Sequence, residues 1–359
     1  MLNPFKTKDL LLVGSLPLET AHEVMTSCAH QLGPWLPCIP DGEVGDRAVW
    51  INSLGYRVYH GHPDIETVNR PAPIDGVENW KPKDLFDIWQ FKVKPGIESI
   101  RFGDRGWRLG YARDAIGSYQ VFETLREKGV IAPDVRFQVC LPLTISAFGS
   151  MFRDPVDWRR LTPGVEEAMR AEIDKMIEKI PEADLAIQWD CAVEVGVLEG
   201  AMPWAPTENA FEMMVSPAAR LTPEIPEEVM VGYHLCYGNL TDWPMWRPND
   251  LTQCVRYSNA LIERSGRRVD FVHIPILDHA NDAYYAPLRN LKPQGARVYL
   301  GVIHHMDDEA DYRRRLSQSA KYLSGFGIAG PCGYGRLSAS VVPALLEEHR
   351  RGMEIWRNG

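Results

Sequence analysis

Eight short apolar, β-rich runs, near positions 10–14, 35–39, 135–141, 185–190, 229–235, 269–275, 297–303 and 325–330, alternate with longer helical stretches. Parallel strands need crossovers of that length, and eight is the number that closes a (β/α)8 barrel. Segments 165–180 and 251–264 read as amphipathic helices, and the charged segment 309–323 reads as a helix leading into the last run. The sequence predicts an α/β fold: one TIM barrel spanning 1–359.

The spacing breaks once. About 90 residues, 44–134, separate the second and third runs, far more than a usual crossover. An insertion is expected there, acting as a lid or a dimer contact. Within it, 91–102 reads as a hairpin around Pro95-Gly96, and 111–128 reads as a helix.

Composition narrows the class of partner. With 45% hydrophobic and 24% charged residues the chain can bury a large core. The 39 basic against 48 acidic residues, a net charge of -9, and the lack of a long basic run argue against nucleic acid and anionic membrane. Small-molecule substrates are expected, with a homodimer as a possible assembly. The apolar stretch 10–17 is too short to span a membrane and lacks a signal-peptide cleavage pattern, so a cytoplasmic location is expected. Seven cysteines at irregular spacings do not resemble a disulfide framework.

In such a barrel the active site lies at the carboxyl ends of the strands, so polar residues just after each run are the candidates. In order these are Gly14-Ser15, Asp41-Gly42-Glu43, Pro142 with Thr144, Asp190 with Glu194, His234 with Cys236, His273, His304-His305 with Asp307, and Cys332. Five of the ten histidines, counting His279, follow the fifth to seventh runs. Residues two apart on a strand share a face, so His234 and Cys236 can grip one soft metal ion while Cys332 closes on it from the last strand.

These residues resemble the catalytic, C-terminal barrel of cobalamin-independent methionine synthase, within the wider superfamily that includes uroporphyrinogen decarboxylase. Val13-Gly-Ser-Leu-Pro17 resembles the family's opening strand and turn, Leu141-Pro-Leu-Thr-Ile145 its Gly-Pro-Val-Thr-Ile segment, and Ile187-Gln-Trp-Asp190 its Ile-Gln-Ile-Asp-Glu-Pro segment. His234-Leu-Cys236 is similar to its His-x-Cys zinc ligands and Pro331-Cys-Gly333 to its Asp-Cys-Gly ligand motif. Two departures stand out: Asp190-Cys-Ala lacks the Glu-Pro, and His273 is placed where the family has a glutamate ligand.

The resemblance implies Zn2+ held by His234, Cys236 and Cys332, with His273 in place of the family's glutamate, or a water, as the fourth ligand, and transfer of an alkyl group, methyl in the family, to or from a thiol bound to zinc as thiolate. Asp190, Glu194, His304 and His305 are the acid/base candidates. Substrate contacts are expected from Ser15, Asp41, Glu43, Arg47, Thr144, Trp189, Tyr233 and Asp282; Tyr284, Tyr285, Trp243 and Trp246 would add aromatic walls. Two other readings stand beside this one. The first is a metal-independent lyase or decarboxylase on the same barrel; the second is a non-catalytic barrel holding zinc or a ligand in a closed four-ligand site.

Overall fold

The structure is a computed structural model that describes residues 8–73, 86–103, 108–240 and 242–358. Its strands are β1 (Leu10–Leu11), β2 (Cys38–Pro40), β3 (Ile65–Asn69), β4 (Gln90–Val93), β5 (Arg136–Pro142), β6 (Leu185–Cys191), β7 (Met230–Leu235), β8 (Phe271–Pro275), β9 (Arg297–Gly301) and β10 (Gly327–Ala329). The helices are α1 (Ala21–Leu32), α2 (Tyr111–Glu127), α3 (Pro155–Lys179), α4 (Ala192–Leu198), α5 (Ala210–Leu221), α6 (Thr252–Arg264), α7 (Asp282–Tyr285), α8 (Glu309–Ala320) and α9 (Val342–Asn358).

Each expected run holds one barrel strand. They form a single parallel sheet in the order β1-β10-β9-β8-β7-β6-β5-β2. Among the described residues β1 and β2 form no ladder, but just past them Leu16 N donates to Gly42 O at 3.0 Å. The barrel is thus nearly closed, and the closing bond lies at the carboxyl end, where a site of this fold is built.

Alternation divides the barrel strands into inward and outward residues. Leu11, Cys38, Ala186, Met230, Phe271, Tyr299 and Ala329 form one buried interior cluster. Gly232 sits where a Cβ would come within 2.3 Å of the Phe271 ring, so a side chain there would displace this layer. The next inward positions are polar. Gln138 Nε2 donates to Gln188 Oε1 (3.0 Å) and Leu12 O (3.1 Å), and Gln188 Nε2 donates to Val13 O (2.6 Å) and Asp190 Oδ1 (2.8 Å). This layer leads up to Asp190, His234 and His273, which are register partners across β6, β7 and β8.

The hairpin expected over 91–102 is not the one that forms. Phe91 on β4 pairs antiparallel with Thr67 on β3, so the partner strand precedes β4. The segment after Gly96 instead crosses α3, where Ile100 N donates to Arg160 O and a Cβ on Gly164 would stand 1.9 Å from Ile100 O. β4 also rests on the loop after β5, through Phe91 N to Met151 O at 3.0 Å, which brings part of 44–134 over the barrel mouth. Positions 74–85 and 104–107 of that stretch lie outside the described residues. α2 forms as expected and packs on α1, α3 and β5. Among the described residues no helix is long and apolar enough to cross a membrane.

Candidate metal centre

His234, next to last on β7, points inward, and Cys236 follows in the loop. Cys332 arrives from the loop after β10. Cys236 Sγ lies 2.9 Å from Cys332 Sγ, and Cys332 Sγ lies 3.9 Å from His234 Nε2. The three ligand atoms fall within 4.8 Å of one another, and all three residues are buried. Asn239 Nδ2 donates to Gly333 O at 2.7 Å and Ser15 Oγ accepts from Gly335 N at 3.2 Å, so the Cys332 loop is tied both to the loop after β7 and to the end of β1.

His273 is inside the barrel, beside the trio but outside that group of three. Both of its ring nitrogens are engaged: Nε2 lies 2.9 Å from Gly330 O and Nδ1 lies 2.8 Å from His234 Nδ1. Burial pushes His273 down to about 4, and burial with the neighbouring His273 holds His234 well below the usual range, so both rings are neutral near pH 7. A carbonyl only accepts, so His273 Nε2 carries the proton and its Nδ1 accepts. His234 Nδ1 is then the donor, and the lone pair of His234 Nε2 is left on the side facing Cys332.

A second buried group, Glu43, Cys140 and Asp190, adjoins the first. Burial raises Glu43 to about 7 against the opposing fields of Arg47 and Arg336, and burial with the Glu43 charge holds Asp190 well above the carboxylate range. Arg336 is drawn down by burial, while Cys332, Glu43 and Cys236 favour its charge. The hydrogen bond from Cys236 lowers Cys332 against the cost of burial, helped by the Arg336 charge, and burial raises Cys236.

The trio, Glu43, Asp190 and Arg336 line a cavity of about 80 Å3. Ser15, Glu43, Asp190, His234, Cys236 and Cys332 are expected residues found on it; so is Trp246. Trp50, Asn52, Ser150, Met202, Met245 and Arg336 are lining residues that the sequence reading missed. Arg336 carried a usable signal, since it shares the short loop of Cys332. Asn52 and Ser150 carried none, because their place depends on how long loops fold over the barrel.

The other expected residues stand elsewhere. Asp41 receives both Arg47 Nη2 (2.8 Å) and Ser118 Oγ (2.7 Å), so this pair ties the loop after β2 to α2 and leaves no free clamp for substrate. Thr144 Oγ1 donates to Glu166, which is paired with Arg220. Trp189 packs in the apolar core, and Tyr233 OH bonds Thr222 (3.0 Å) and Ser265 (2.7 Å) behind the barrel wall. Asp282 is exposed and bound to Lys321 and Tyr322. Glu194 accepts from Ser146 N (2.8 Å) and Ser146 Oγ (2.5 Å), off the cavity. His304 donates from Nε2 to Ile276 O (2.8 Å) with its ring edge-on to Trp243, and His305 meets Glu348 (2.9 Å).

The donor set fits zinc. One imidazole nitrogen and two thiols form a borderline-soft trio, and zinc bonds of roughly 2.0–2.3 Å suit the 3.9 Å between Cys332 and His234, while the two sulfurs, 2.9 Å apart, would have to separate to share the ion. His234, Cys236 and Cys332 would hold it, and the side toward the cavity stays open. An α/β barrel with a His-Cys-Cys trio at its carboxyl end is therefore the class that fold and site define.

Neither protein-family models nor curated proteins return a match to this sequence. Among solved structures, a B12-independent methionine synthase from Shewanella sp. W3-18-1, in complex with selenomethionine, is similar with a TM-score of 0.58. Identity is 15%, and the alignment covers 98% of this chain and 98% of that one. The likeness establishes a related barrel fold.

Proposed function

We propose that the protein is a zinc-dependent transferase that moves an alkyl group, methyl in the simplest case, to or from a thiol substrate. The observation that carries this reading is the meeting of His234 Nε2, Cys236 Sγ and Cys332 Sγ on the wall of a largely apolar cavity. Bound zinc would lower the pKa of a substrate thiol and keep it available as a thiolate near neutral pH. Two cysteine thiolates beside the substrate sulfur keep it electron-rich, which favours attack on an alkyl carbon over hydrolysis. Glu43 and Asp190 lie beside the trio and would receive an ammonium group of the thiol substrate or hand on a proton. The apolar lining limits water, so the nucleophile keeps its reactivity. Residues 50–52 and Ile88, from the long stretch after β2, close part of the cavity, consistent with a lid.

A closed four-ligand store fits less well, because His273 is committed to His234 and Gly330. Metal analysis of the purified protein should give close to one zinc per chain, and Cys236→Ser or Cys332→Ser should remove it. With cobalt in place of zinc, added thiol should change the thiolate-to-cobalt absorption. Active protein that contains no metal, or a cobalt spectrum insensitive to thiol, would eliminate the proposal.

A further inference from the structure

The carboxyl ends of β1, β2, β5 and β6 bring a second set of metal-type donors together. Glu43, Cys140 and Asp190 are 9%, 8% and 6% exposed, and one ligand atom of each lies within 4.8 Å of the other two. Neither acid forms an ion pair, since Arg47 is bonded to Asp41 at 2.8 Å and lies 3.7 Å from Asp114. Glu43 takes a hydrogen bond from Ser15, and Asp190 Oδ1 takes one from Gln188 Nε2 at 2.8 Å. Asp190 Oδ2 has no partner and is not sealed from the cavity that both acids line. Two carboxyls buried this far without a bonded cation leave acceptor capacity that a metal ion would satisfy.

The space among the three is kept by a glycine. Gly14 lines the same cavity at φ 153°, and a Cβ on it would stand 2.8 Å from Cys140 Sγ and 3.9 Å from Glu43 Oε1. The surroundings of the sulfur suit a thiolate. Gln188 Nε2 and Gln138 Nε2 donate to Cys140 Sγ at 3.4 and 3.7 Å. The thiol itself donates to Val13 O at 3.4 Å, a carbonyl that keeps Gln188 Nε2 at 2.6 Å when this proton leaves. Gln188 thus orients both Asp190 and Cys140, as outer-shell amides do around a metal.

We infer that Glu43, Cys140 and Asp190 form a second, weaker zinc site beside the His234, Cys236 and Cys332 trio, filled when free zinc is in excess. Binding releases the thiol proton of Cys140 and any proton on the acids to solvent, and a water from the cavity completes the coordination. Two thiolates and an imidazole hold a borderline-soft ion better than one thiolate and two carboxylates, so the trio fills first and a protein with one zinc carries it there. The second ion takes the place given above to the ammonium of the thiol substrate, so excess zinc inhibits. That consequence rests on the transferase reading; the binding does not.

Equilibrium dialysis of the wild-type protein against chelator-buffered zinc tests the site. Bound zinc should rise in two steps, and Cys140→Ala should abolish the second while keeping the first. Glu43→Gln provides the same test should Cys140→Ala fail to fold. Cobalt added to a Cys236→Ser, Cys332→Ser double variant, in which the trio is destroyed, should still give thiolate-to-cobalt absorption, and adding Cys140→Ala should remove it. Zinc binding identical in wild type and the folded variants, or no thiolate-to-cobalt band in the double variant, would overturn the second site. A single zinc step that Cys140→Ala abolishes would instead remove the transferase reading and leave this site standing.

Discussion

One chain of hydrogen bonds decides which nitrogen of His234 is free. Gly330 O receives the proton of His273 Nε2, and His273 Nδ1 receives that of His234 Nδ1, so Nε2 is left to ligate. Gly301 leaves room for this, because a Cβ there would stand 3.0 Å from His273 Nε2 and 2.7 Å from the Pro331 Cα. His273→Phe removes the acceptor without vacating the space, and zinc affinity should fall by about 10- to 100-fold in a chelator competition. An unchanged affinity would show that His234 needs no such support. The period-2 argument that turns His234 and Asp190 inward also turns Tyr233 and Trp189 outward, so their misplacement was avoidable from the sequence. Tyr233→Phe should leave zinc content and turnover unchanged while lowering stability by about 1 kcal/mol, through the lost bonds to Thr222 and Ser265. A change in KM for either substrate would place the ring back in the site.

At the scale of elements, the loop after β2 shows what a motif can and cannot say. Asp41-Gly-Glu-Val-Gly-Asp-Arg47 is dense in charge, and its strand-end position was legible; the division of labour was not. Gly42 adopts φ 81°, and a Cβ there would reach 2.5 Å from Val24, so the turn presses onto α1. The turn sends Asp41 to Arg47 and α2, and leaves Glu43 on the cavity. Whether an acid meets substrate or an arginine of its own loop depends on a helix more than 60 residues away in sequence, which no local pattern encodes. Breaking one partner of this shielded pair, by Arg47→Ala, should cost about 3 kcal/mol. The urea midpoint should drop at constant slope with zinc content retained; a preserved midpoint with a raised KM would restore Arg47 as a substrate clamp.

For the whole molecule, eight strands and their order were readable because each barrel strand repeats one requirement: apolar residues on both faces, then a polar end. The loops over the mouth answer to no such repeat. β3 and β4 pair across a stretch whose sequence suggested a different hairpin, and Asn52 and Ile88 from the same long stretch line the cavity. The same enclosure leaves a mark on the energetics. Glu194 is fully buried, and burial raises it to about 7 despite the bonds from Ser146. Unfolded, it would titrate near the ordinary glutamate value. Between roughly pH 4.5 and 7 the folded protein therefore holds a proton that the unfolded chain has released, and stability falls as pH rises through that window. The full effect is on the order of 3 kcal/mol. Glu194→Gln keeps the size and a hydrogen-bonding head group but cannot ionise, so it should make the decline in urea midpoint between pH 5 and 7.5 shallower than in wild type, the remainder coming from Glu43 and Asp190. Parallel pH profiles for the two proteins, at matched zinc content, would show that Glu194 is ionised in the fold and that its buried environment does not hold the proton.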